Sequence, residues 1–140
     1  MAPDAEIKLE EIVLEEVTEP RNDGTSGSGL YAVPFRLSAT PDATWSKLFV
    51  DSWNLPPRFT SMHRPGIARV EGNRIVLDST TIEEVKRFHF DTLKLAVSEA
   101  NRLLGEQRRT RVQQASASQS RKQRHRDHVA EVAKSLKFER

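Results

Sequence analysis

The 140 residues include no cysteine, which excludes a disulfide framework, a thiolate nucleophile and any Cys-ligated zinc or iron–sulfur centre. The same absence points to the reducing cytoplasm. No apolar run approaches the roughly 20 residues that span a bilayer. The leading MAPDAEIKLEE lacks the basic-then-apolar order of a signal peptide. The expectation is a soluble cytoplasmic chain with no membrane contact. Catalytic signatures are missing as well: there is no GxSxG, no HExxH and no phosphate-binding loop. GTSGSG at 24–29 has three glycines but no Walker lysine, and no helix follows to face an anion, so it reads as a hairpin loop. From Gly105 to Lys137 there is no aromatic residue, so that stretch offers nothing on which nucleic-acid bases stack.

What is present is organised by charge. A net charge of +2 conceals an asymmetry, with 11 Lys and Arg against 16 Asp and Glu in residues 1–101 and 11 against 4 in residues 102–140. An acidic domain over 1–104 therefore carries a basic C-terminal arm over 105–140. With 36% hydrophobic residues the chain has enough for one modest core. Within the arm, QQASASQS at 113–120 reads as a Gln/Ser/Ala-rich linker and 121–138 as an amphipathic basic segment.

The clearest periodicity lies in Thr80 to Leu104. Val85, His89, Leu93, Ala96, Val97, Ala100, Leu103 and Leu104 share one arc with Ile82, whereas Arg87, Asp91, Lys94, Ser98 and Asn101 fall opposite. Thr80 with Glu83 fits a capping box, and Thr81 with Glu84 is the alternative register. Gly105 after the last apolar pair suits a helix stop, although glycine inside a helix costs only about 1 kcal/mol and the helix can run on. Phe88 and Leu95, seven residues apart on a second face, read either as the edge of a wide core face or as a seam for a homo-oligomer.

Ahead of this helix, residues 6–17 read as a strand whose alternation slips at Glu10 and Glu11, which suits a bulge. Glu19 to Gly29 is a turn-rich mobile connection. Tyr31, Val33, Phe35 and Leu37 alternate with smaller or polar residues, and Pro34 suggests an edge strand or one in which its missing donor points outward. Thr40-Pro41-Asp42 marks a helix start, with Thr40 as cap and Pro41 in the first helical position. That helix runs to about Asn54 over Trp45, Leu48, Phe49, Ser52 and Trp53. A loop, Arg58 to Pro65, precedes a hairpin from Ile67 to Asp78 that turns at Glu71-Gly72-Asn73. The expected fold is α+β: a mostly antiparallel four-stranded sheet in the order β-β-α-β-β-α, both helices on one face, and a helical or mobile basic arm.

Function divides three ways. Arg108, Arg109, Arg111, Arg121, Lys122, Arg124 and Arg126 in the arm suit an acidic protein partner. Beyond them Val129, Val132, Ala133 and Leu136 form a narrow apolar stripe that implies an end folded against something. A second copy is the other candidate occupant, through the arm or through Phe88 and Leu95. The alternative is sequence-independent phosphate binding to nucleic acid. The third is a small enzyme using His63 or His89, with Arg64, Asp78 and Asp91 as further candidates. Nothing in the spacing makes these groups converge, and a histidine on an apolar face is first of all a hydrogen-bonded core residue. His125 and His128, three apart, share a helix face with Asp127 beside them but sit among arginines that oppose a cation, so no metal and no cofactor are expected.

Overall fold

Four short strands with alternating apolar residues form one antiparallel sheet in the spatial order β1-β2-β4-β3: β1 Leu9–Ile12, β2 Tyr31–Leu37, β3 Ala68–Glu71 and β4 Arg74–Thr80. The computed structural model describes residues 6–25, 27–56 and 63–137. Along the chain a 3-10 turn, Leu14–Glu16, follows β1, and α1, Ala43–Asn54, lies between β2 and β3. After β4 come a short helical turn α2, Ile82–Glu84, a π turn, Val85–His89, and α3, Phe90–Ser135. Two compact units result, Met1–Leu104 and Gly105–Arg140. Residues Arg58 to Met62 of the expected loop, and Phe138 at the end of the arm, lie outside the described residues.

The core of the first unit joins Val33, Phe35 and Leu37 of β2 and Ile75 and Leu77 of β4 to Trp45, Phe49 and Trp53 of α1 and to Leu93, Ala96, Val97 and Ala100 of α3. Each set follows its element's period, two in the strands and three or four in the helices. Trp45 and Phe49, one turn apart, stack with ring centres 5.6 Å apart. Asn101, which the wheel places on the polar side, is instead a hub. Its Oδ1 accepts from Ile7 N at 3.0 Å and from Trp45 Nε1 at 2.9 Å, and its Nδ2 donates to Ile7 O at 2.8 Å.

Several local expectations are corrected. Asp42, not Thr40, caps α1, accepting from Trp45 N at 2.8 Å. The strand with proline is interior, not an edge. Within a strand the N–H and C=O of one residue point the same way, and the Pro34 carbonyl accepts from Val13 N at 3.0 Å. The missing N–H thus faces the point where β1 has already left the ladder. The β1–β2 register shifts between Leu9 and Glu11, at the slip in the alternation. Between the Val33–Leu77 and Tyr31–Thr80 pairs, β4 carries one residue more than β2. Ser79 sits there with φ 55, the left-handed conformation of a bulge. The bulge turns Thr80 fully inward, so Thr81 caps α2, accepting from Glu84 N, while Tyr31 Oη accepts from Ile82 N.

The loop over 19–29 is closed by backbone bonds from Arg21 N to Leu30 O and from Gly29 N to Arg21 O. Inside it Asp23 Oδ1 accepts from Thr25 N, Thr25 Oγ1 and Ser28 Oγ. The carboxylate of the loop occupies the donors an anion would need.

Gly105 does not end the helix: α3 is 46 residues long and includes 113–120, the stretch whose composition suggested a linker. No glycine or proline follows within α3 to interrupt it, and Ala, Gln and Arg are good helix formers. Among the described residues no helix is long and apolar enough to cross a membrane.

Two outcomes are expected. Asn101→Ala leaves the Ile7 and Trp45 groups unpaired and lowers stability by about 1–3 kcal/mol, read by urea unfolding. At Gly105 an added Cβ meets only the Arg109 guanidinium, 3.4 Å away. Gly105→Ala therefore stabilises the helix by up to about 1 kcal/mol, read by thermal melts of the helical circular dichroism signal.

Candidate functional site

Three of the sequence candidates, His63, Arg64 and His89, are brought together, and two residues that sequence reasoning did not single out complete the cluster. Trp53, in the last turn of α1, donates from Nε1 to Arg64 O at 3.0 Å, and His63 Nε2 donates to Trp53 O at 2.8 Å. A carbonyl only accepts, so His63 carries its proton on Nε2. The Trp53 ring lies 4.8 Å from that of His63 and 5.7 Å, edge-on, from that of His89. Glu84, the other newcomer, pairs with Arg64: Nη2 to Oε1 at 3.2 Å and Nε to Oε2 at 3.1 Å.

His89 reaches this cluster through the π turn. Phe90 N–H bonds back to Val85 O, five residues earlier, and Val85 and His89, four apart, are both buried. Such turns recur at functional sites. The His89 ring is 0% exposed, and its Nε2 lies 3.5 Å from Glu84 Oε2, long for a hydrogen bond. Neither ring nitrogen has a hydrogen-bond partner among the described residues, and Glu84 Oε2 has the ion-pair contact with Arg64 Nε but no hydrogen bond among them. Among the described residues the expected backbone bond to a core histidine is thus not made. A buried polar atom left unpaired costs about 1–3 kcal/mol, a cost an apolar residue would not incur.

Burial is the largest influence on His89 and lowers its pKa below the usual 6.5. The Glu84 carboxylate offsets part of this, and the positive character of His63 and Arg64 adds to the fall. The other carboxylates suggested for catalysis lie elsewhere. Asp78 accepts from Arg69 Nη1 at 2.9 Å and from Ser79 N. Burial raises its pKa, but these contacts more than reverse that and leave it below the ordinary carboxylate value. Asp91 is exposed and faces Lys94 at 3.4 Å. Phe88 lies in the π turn and Leu95 in α3 beyond it, both half-buried.

In the second unit, Arg109, Arg111, Arg121, Lys122, Arg124 and Arg126 are exposed along α3 and Arg108 is half-exposed. Val129, Val132 and Leu136 are 50%, 48% and 57% exposed. Asp127 accepts from Gln123 one turn earlier. Among the described residues no group of three or more His, Asp or Glu side chains is placed to hold a metal ion. Comparison with protein-family models, with curated proteins and with solved structures finds no match to this chain.

The signals for Trp53 and Glu84 were present but pointed elsewhere, one to the core and the other to a helix cap. Because the folded pKa of His89 is depressed, its contribution to stability is complete above pH 6.5 and is lost as pH falls from there through the folded value. Urea midpoints measured against pH are expected to fall in that window for the native chain and to fall less for His89→Gln.

Proposed function

We propose that this chain is a protein-interaction module whose basic helical arm docks along an acidic surface of a partner protein. The observation that carries this reading is the row of half-exposed apolar side chains, Val129 and Val132 in the last turns of α3 and Leu136 immediately after its end, beyond turns that hold Arg121, Lys122, Arg124 and Arg126. Residues spaced three and four apart lie on one helix face, so a partner that covers Val129, Val132 and Leu136 also meets Lys122 and Arg126. Covering that face removes apolar surface from water at about 25 cal/mol per Å².

Charge selects among the occupants. A second arm would bring arginines against arginines, whereas a Glu- or Asp-rich surface neutralises them and speeds encounter. Nucleic acid satisfies the charges but leaves the apolar side chains in water, and residues 105–137 supply no aromatic ring for bases. Enzymatic use of His89 is not favoured, because a fully buried ring meets no substrate.

Fluorescence anisotropy tests the reading with a labelled heptad peptide of Leu and Glu, a labelled poly-glutamate peptide, and labelled DNA and RNA. The Leu/Glu peptide is expected to bind the full chain most tightly at near-physiological salt. Val129→Asp with Leu136→Asp should weaken it about tenfold or more, and charge reversal of Arg121, Lys122 and Arg124 should reduce the salt dependence. Tighter binding to nucleic acid that is indifferent to the Val129 and Leu136 changes would replace this reading with phosphate binding.

A further inference from the structure

We propose that His89, Glu84 and Arg64 form a proton-operated latch, in which a proton added to His89 transfers the Glu84 carboxylate from Arg64 to His89 and releases the His63–Arg64 segment. The starting arrangement holds one carboxylate and one permanent cation, joined by two contacts of 3.1 and 3.2 Å. His89 waits 3.5 Å from the same carboxylate with its ring nitrogens unbonded among the described residues. Neutral imidazole bears one N–H. Uptake of one proton from solvent gives it two, and its charge then seeks the Glu84 carboxylate beside it.

Two cations cannot both keep full possession of Glu84. The charged and titratable groups facing His89 are Glu84 on its own helical segment and His63 and Arg64 on the segment ahead of β3; α1 contributes the Trp53 ring. The imidazolium is fully buried, so it cannot exchange the carboxylate for water without opening the site. Arg64 can. Its side chain is already 38% exposed, against 17% for Glu84, and a guanidinium turned outward recovers hydration at little cost.

The Arg64 carbonyl accepts from the Trp53 indole and the Trp53 carbonyl from His63. Loss of the Arg64–Glu84 pair therefore loosens the contacts tying this segment to the end of α1. Gly66 follows with φ 86, and its N–H is held by Asn54 Oδ1 at 2.8 Å, so release of His63 and Arg64 need not disturb the hairpin. The latch is independent of the arm and of what the arm binds.

The two tryptophans make a built-in comparison. Trp53 donates to Arg64 O within the latch, and Trp45 donates to Asn101 outside it. In the full chain, two-dimensional NMR of indole and arginine Nε–H groups is followed from neutral pH downward, with the His89 ring signals recorded in parallel. The expected result is a fall of about tenfold or more in the protection of Trp53 Nε1 and Arg64 Nε against water exchange, each taken relative to the unprotected rate at the same pH. Its midpoint should match the His89 titration, on the acid side of 6.5, with the protection of Trp45 Nε1 unchanged. His89→Gln should hold the latch closed across the range, and Glu84→Gln should open it already at neutral pH. If Trp45 and Trp53 change together, acid unfolds the domain and there is no latch. A Trp53 transition in the native chain that does not track the His89 ring signals overturns the proposal equally, whether or not the variants fold.

Discussion

The amide of Asn101 makes three hydrogen bonds, to both backbone groups of Ile7 and to the indole of Trp45, and these hold three distant parts of the chain in register. Ile7 leads into β1, Trp45 begins the buried face of α1, and Asn101 sits in the turn of α3 that also buries Ala100. Amides inside a core are satisfied or costly, so this bonding admits one placement of α3 relative to α1 and the first strand. Once α3 is placed, Leu93, Ala96 and Val97 cover the sheet, and the turns before them must meet the end of α1 and the segment after it.

The His89 cluster follows from that constraint. The bulge at Ser79 turns Thr80 inward and leaves Thr81 to start α2, and the π turn then absorbs the mismatch between that start and the core register of α3. His89 faces Trp53 and lies beside Glu84. The same two irregularities explain why Glu84 serves at once as the third residue of a capped helix and as the counter-ion of Arg64. An ion pair at the base of the helix and a neutral histidine beside it give the domain a group whose charge state bears on local order.

The two units carry different kinds of information. In the first, acidic residues are largely spent on neighbours: Glu10 and Glu11 pair with Arg36, Glu16 with Arg74, and Asp78 with Arg69. In the second, the basic side chains line a helix with almost no buried residue among those described. A helix of this length presents charge and a short apolar row in a fixed geometry, so the docking proposed for it would lose less conformational entropy than that of a disordered arm.

The α+β class, the four strands and the charge division were legible from periodicity and composition, because burying one face imposes a period of two on strands and of three to four on helices. The position of the β1 irregularity was legible too, since its alternation slips at Glu10 and Glu11. Convergence was not. His63 and Arg64 follow α1, Glu84 and His89 precede α3, and nothing local relates them; Asp78 and Asp91 were equally good candidates until the fold directed each to a neighbouring cation. Asn101 read as a surface residue because a helical wheel registers polarity and not the two backbone groups and indole waiting across the core. The sequence by itself therefore determined which elements form and where charge accumulates, since both depend on near neighbours. Only the tertiary structure decided which polar side chains meet, because desolvation and hydrogen bonding are settled by groups far apart in the chain.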